Sequence, residues 1–181
     1  MACLNNYTLK GIALDCNPVL AGIKKVYLGY FDEFVVSGDT DTMTATIANV
    51  SGSTAKLYPY DITVNTGGLT STLTKNDQNG TRYYTNVISM QFTRLEAKKH
   101  LEVQAMAAEA LVAIVESNDG SCWVVGYDSY ATGNSATSQT GSSFDDLNGY
   151  NVELQARSAY MPFEIKKTDF DSLVDKGENN E

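Results

Sequence analysis

Few residues in this chain have both the type and the spacing to do chemistry. His100 is the single histidine and stands among Lys98, Lys99 and Glu102. A general base or a two-histidine zinc site needs partners that the sequence does not supply, so His100 reads as solvated helix surface. Cys3, Cys16 and Cys122 are odd in number, far apart and form no CxxC pair. That spacing argues against a zinc site or a disulfide framework and for small buried thiols. Asp145 and Asp146, with Asp119 and Asp128, are carboxylates of the kind that bind calcium. The alternating oxygen ligands and closing glutamate of an EF-hand are missing, and Asp145-Asp146-Leu147-Asn148-Gly149 reads as turn chemistry. No GxSxG, Walker A loop or GxGxxG is present. Gly126-Tyr127-Asp128-Ser129-Tyr130 reads as the end of a strand entering a loop. Asn49-Val50-Ser51 and Asn79-Gly80-Thr81 match the glycosylation sequon, which carries no meaning without secretion. The expectation is a protein that is not an enzyme, with no catalytic residue, no metal ligand and no cofactor.

The remaining composition sets the class. At 181 residues the chain fits one domain, or one domain with arms, and is long enough for a substantial core. A hydrophobic content of 43% is ordinary for a globular protein and too high for a disordered one. No stretch approaches the roughly 20 apolar residues that span a bilayer, so no membrane association is expected. The opening Met1-Ala2-Cys3-Leu4-Asn5-Asn6 lacks the basic and then apolar run of a secretory signal. The protein is therefore expected to be made and kept inside a cell until something releases it. A formal charge of −9 repels phosphate backbones and argues against ordinary nucleic-acid binding.

Three zones follow from the patterning. Residues 1–22 read as an N-terminal arm punctuated by Gly11, Pro18 and Gly22. Residues 23–160 read as a β-rich core domain with one helix at about 94–107. Residues 161–181 read as a charged C-terminal tail whose last residues should be mobile. Within the core, Ile23–Tyr30 is a strand, and short strands follow at about Thr42–Ala48 and Lys56–Asp61. The clearest hairpin joins Leu69–Lys75 to Thr81–Phe92 through Asn76-Asp77-Gln78-Asn79-Gly80, a turn cluster that tolerates positive φ.

The second hairpin strand alternates over twelve residues. Tyr84, Ile88, Met90 and Phe92 face one way, with Arg82 and Asn86 among them. Thr81, Tyr83, Thr85, Val87, Ser89 and Gln91 face the other, because a period of two puts the sets on opposite faces of a sheet. Thr93-Arg94-Leu95-Glu96 has the capping-box pattern, and Leu95, Val103, Met106 and Ala107 form an expected core stripe on the helix. Leu111–Glu116 and Cys122–Tyr127 form a second hairpin, turned by Asn118-Asp119-Gly120 and expected to be central because both strands are apolar. Ser129–Ser143 has a composition that cannot bury a core and reads as a surface loop. Tyr150–Ala156 is a last strand. The eleven tyrosines could line a sugar- or protein-binding surface, but in a strand-rich chain they read better as pleat-filling residues. The sum is mainly β with one amphipathic α-helix, a β-sandwich or barrel.

Two features carry a resemblance. One is the run from Gly120 through Trp123-Val124-Val125-Gly126-Tyr127-Asp128, a Gly/Ser/Thr loop with Gln139-Thr140-Gly141, then Asp146-Leu147-Asn148-Gly149-Tyr150 and an alternating strand. It resembles virion structural proteins of phages and prophages of gut Bacteroidales. The other is the order of long hairpin, amphipathic helix and further strands, which is similar to the tail-tube fold of long-tailed phages and contractile injection systems. The resemblance covers roughly residues 23–160. It implies a tail-tube-like or tail-ring subunit, a homo-oligomeric ring with a hexamer the expected form, whose sheets join into a barrel around a channel. DNA would be passing cargo without specific binding, the other partners would be neighbouring virion proteins, and the location would be the virion, assembled in a bacterial cytoplasm. On that reading Thr70, Thr72, Thr74, Thr81, Thr85, Ser89 and Gln91 face the channel. The competing expectations are a head–tail connector, capsid decoration or fibre-base virion protein, and, from another class, a monomeric β-sandwich binding module.

Overall fold

The structure is a computed structural model that describes residues 11–12 and 19–176. Its strands are β1 (Ile23–Tyr30), β2 (Phe34–Asp39), β3 (Thr44–Asn49), β4 (Tyr58–Asp61), β5 (Gly68–Asn76), β6 (Thr81–Thr93), β7 (Leu111–Ser117), β8 (Cys122–Val125), β9 (Thr132–Gln139), β10 (Gly149–Ser158) and β11 (Phe163–Ile165). Two helices, α1 (Ala97–Ala108) and α2 (Lys167–Phe170), lie among them. The chain is mainly β, as its patterning predicts. Among the described residues the strands form two sheets and no closed barrel: a seven-stranded sheet ordered β2-β3-β11-β8-β7-β1-β4 and a four-stranded sheet ordered β5-β6-β10-β9.

Burial explains the order. β7 is apolar at every position from Leu111 to Val115, and each of these residues is buried. A strand of that kind needs cover on both faces, and β7 sits between β8 and β1 near the middle of the larger sheet. One face supplies Leu111, Ala113 and Val115 to the core between the sheets, where Val26, Leu28, Ile88, Met90, Val152 and Leu154 meet them. The opposite face supplies Val112 and Ile114 to a second core with Tyr27, Phe34, Leu57, Phe163 and Phe170.

That second core corrects the reading of residues 161–181 as a charged tail. β11 pairs with both β8 and β3, Phe163 and Ile165 are buried, and Phe170 is wholly buried against the Tyr27 ring at 5.1 Å. Lys167 extends its ammonium to both oxygens of buried Glu116, at 2.8 and 2.9 Å, and Tyr27 donates to the same carboxylate at 2.7 Å. Burial pushes the Glu116 carboxyl up, but the hydrogen bonds from Lys167 and Tyr27 outweigh it and hold the group below the ordinary glutamate range. The segment to Val174 is thus part of the subunit core, and the alternation Phe163-Glu-Ile165 was its sequence signal. Most of the N-terminal arm lies outside the described residues.

Three local expectations also change. β9 occupies Thr132–Gln139, inside the stretch read as a surface loop. The helix begins at Ala97, and no capping box forms: Arg94 has a φ of 67°, and the Glu96 carboxylate turns to Arg94 and Lys99. The start is instead held by Tyr150, whose hydroxyl accepts from the Glu96 N–H at 3.2 Å and donates to the Glu96 carbonyl at 3.1 Å. On α1 only Met106 is buried and Val103 packs partly, while Ala107 is exposed at the surface rather than in the core stripe. The helix backbone lies so close to β9 that a Cβ at Gly133 would stand 2.6 Å from the Ala107 Cα.

Candidate functional site

The feature with the most functional content is the outer face of the four-stranded sheet, built from its register. β5 pairs with β6 so that Thr70, Thr72, Thr74 and Asn76 lie opposite Val87, Thr85, Tyr83 and Thr81. β10 pairs with β6 so that Asn151, Glu153, Gln155 and Arg157 lie opposite Gln91, Ser89, Val87 and Thr85. β9 adds Ser135, Thr137 and Gln139 opposite Glu153, Asn151 and Gly149. The seven residues expected from the sequence to face a channel (Thr70, Thr72, Thr74, Thr81, Thr85, Ser89 and Gln91) therefore share one face. Thr70, Thr72, Thr74 and Thr81 are exposed, and Thr85, Ser89 and Gln91 are half-buried. Ile88 and Met90 are on the other face, at 0% and 2% exposure.

The chemistry of this face is uniform. Threonine, serine, glutamine and asparagine dominate it, Tyr83 and Val87 add an apolar strip, and its charges are Glu153 and Arg157. Glu153 accepts from Asn134 and Ser135 at 3.3 Å each, and Arg157 lies over the Tyr83 ring at 5.9 Å. The two charges cancel, so the face carries no net charge in a chain of net −9.

Both edges of this sheet are open among the described residues: β5 pairs only with β6, and β9 only with β10. Neither edge is rich in the proline and charge that usually protect one, although α1 packs against β9. β9 has no proline and no charged residue, and β5 has one lysine, Lys75, next to its turn. A bulge at Asn134 leaves Ser135–Gln139 as a regular edge. By contrast β4, an edge of the larger sheet, carries Pro59 and Asp61. Sequence reading missed the β9 edge because its residues are polar on both faces, which leaves no apolar alternation to find.

The residues first considered for chemistry remain scattered. His100 is exposed on α1, edge-on to Tyr150 with ring centroids 5.2 Å apart. Cys122 is buried as a free thiol, which burial and nearby Glu116 push up in pKa, and Cys3 and Cys16 lie outside the described residues. Asp119 accepts from the Ser121 N–H in the β7–β8 turn, and Asp146 accepts from Ser142 and Ser143 in the β9–β10 turn. Among the described residues no group of three or more His, Cys, Asp or Glu is placed to hold a metal ion. A cavity of about 280 Å³ between β4 and α1 is lined by Tyr30, Tyr58, Tyr60, Glu102 and Glu109. Comparison with protein-family models, curated proteins and solved structures finds no match.

Proposed function

We propose that this protein is a self-assembling structural subunit that closes into a ring through the β5 and β9 edges and lines a channel with the Thr/Ser/Gln face. The observation that carries this reading is the pair of edges without a strand partner among the described residues, at the two sides of one sheet whose outer face is polar. The four strands alternate in direction, so β9 of one copy meets β5 of a copy rotated beside it antiparallel, and the ladder continues without a break. Such pairing removes the exposed amides that an isolated sheet leaves open. Six copies would close a barrel of about 24 strands, with a backbone diameter of about 48 Å at ordinary strand spacing and tilt. After side chains that lumen is wider than a nucleic-acid duplex. A wall without net charge does not grip phosphates, which suits DNA passing through.

The resemblance to tail-tube and tail-ring subunits of phage virions agrees with this geometry, and we adopt it as the specific form of the proposal: a hexameric tail-tube-like ring in a virion. A head–tail connector ring would use the same edges. The test is sedimentation of the parent beside Ser135→Pro and Ala136→Pro. Alternate amides of an edge strand point outward, so one of these removes a hydrogen bond to a neighbouring copy without touching β10. That variant should stay folded and monomeric where the parent assembles. A parent that stays monomeric from micromolar to near-millimolar concentration would remove the proposal and favour the monomeric binding module.

A further inference from the structure

Phe144 is the most exposed large apolar residue described, at 109%. It stands at the tip of the turn between β9 and β10, and that turn is held in shape. The Asp146 carboxylate accepts from the Ser142 and Ser143 N–H groups at 2.8 Å each. Gly141 has a φ of 72°, and a Cβ there would stand 2.6 Å from the Asp146 Cβ. The base is tied to the chain entering α1: Arg94 donates to the Asn148 carbonyl at 2.6 Å and Leu95 to its side chain at 3.3 Å. A phenylalanine fixed in water by a hydrogen-bonded turn loses little freedom when it is buried by a partner, which is the character of an interface anchor.

An apolar groove of about 630 Å³ opens toward the opposite end of the same sheet. Its walls include Leu69 and Ser71 from β5, Met43, Trp123, Met161 and Pro162. Ser71 lies opposite Asn86, which lies opposite Ala156 near the end of β10, whereas the Phe144 turn precedes Gly149 at the start of β10. About 23 Å of strand separates Gly149 from Ala156, and Phe144 lies beyond Gly149, so it cannot reach the groove of its own copy. Past the groove the hairpin continues with Leu73 (48% exposed), Tyr84 and Arg82 on the same side. Arg82 is exposed and in no ion pair among the described residues, as is Asp145 beside Phe144.

We infer that Phe144 of one copy inserts into the Leu69–Trp123–Met161 groove of a second copy stacked end to end with it, with Asp145 brought toward Arg82. A knob and a groove at opposite ends make a head-to-tail contact that does not close on itself, so it propagates along an axis. The inference rests on the ring reading for its context, since this contact would join one ring to the next while the β5 and β9 edges join copies within a ring.

The test is a full-length chain with the photocrosslinker p-benzoylphenylalanine at position 144, irradiated in the assembled state and digested for mass spectrometry, beside Phe144→Ser imaged by electron microscopy. The expected result is a covalent dimer joined to a peptide containing Met43, Trp123 or Met161, and a Phe144→Ser protein that keeps its rings but loses stacking at least tenfold. Rings that stack equally well in Phe144→Ser, or adducts only to other peptides, would overturn the inference and leave the ring proposal standing. A protein that forms no rings at all would sink both.

Discussion

Replacing Lys167 by methionine isolates one consequence of the C-terminal segment being core. Glu116 is 5% exposed, and its carboxylate holds both Lys167 contacts and the Tyr27 hydroxyl. Removing one partner of a buried ion pair costs about 3–5 kcal/mol, because the other charge stays behind without water. Lys167 itself is half exposed, so solvent screens the pair, and Tyr27 still donates in the variant. The expected loss is therefore about 2 kcal/mol at pH 7. The sign with pH follows from the depressed Glu116 carboxyl. Its contribution is present above the ordinary glutamate pKa of about 4.3 and is lost as pH falls through the lower folded value. At the alkaline end the hydrogen bond that Lys167 donates to Glu116 raises the pKa of its ammonium, so its share persists below about pH 10.4 and is lost as pH rises through the folded value. Urea unfolding of Lys167→Met should show a lower midpoint at unchanged slope, with the difference from the parent shrinking below about pH 4. Lys167→Met/Glu116→Gln should recover more than half of the loss. A single variant within about 0.5 kcal/mol of the parent at pH 7 would refute the reasoning, as would a difference that does not change with pH.

Three further outcomes follow from the same structure. Ile88→Asp places a charge at a wholly buried position and loses about 1.5–3 kcal/mol of apolar burial plus desolvation, so circular dichroism should show an unfolded subunit. Thr85→Lys on the opposite face should fold and assemble, and should bind DNA in a way that weakens with salt, measured by filter binding, which the parent should not do. Tyr150→Phe removes the hydroxyl that holds both polar groups of Glu96 and should cost about 1 kcal/mol, seen as faster amide exchange at the start of α1.

How far the sequence could be read depended on whether a segment buries one face, two faces or none. The strand Ile23–Tyr30 and both faces of β6 were legible because alternation from Thr81 to Phe92 marks a half-buried strand directly. The central hairpin was legible from its apolar run, and the turn at Asn76 closes as its residues suggest, with the Asn76 side chain accepting from Gln78 and Asn79. β9 was not legible, since Thr, Ser, Asn and Gln on both faces look like a loop until β10 supplies the partner. The charged residues between Phe163 and Leu173 hid the last packing layer: Glu164, Lys166 and Asp171 are exposed while Phe163, Ile165 and Phe170 are buried, and the short spacing reads as a tail. The capping box failed because Thr93 is still in β6, where its side chain cannot turn back to the helix. The polar face was legible residue by residue, but its open edges were not, because an edge is a property of pairing and leaves no composition of its own.

Cryo-electron microscopy of the purified protein at high concentration bears on the central claim most directly. The account predicts closed rings in which β9 of each copy is hydrogen-bonded antiparallel to β5 of the next, with Thr85 and Ser89 in the lumen. Monomers only, or rings joined through the seven-stranded sheet with the Thr/Ser/Gln face turned outward, would contradict it.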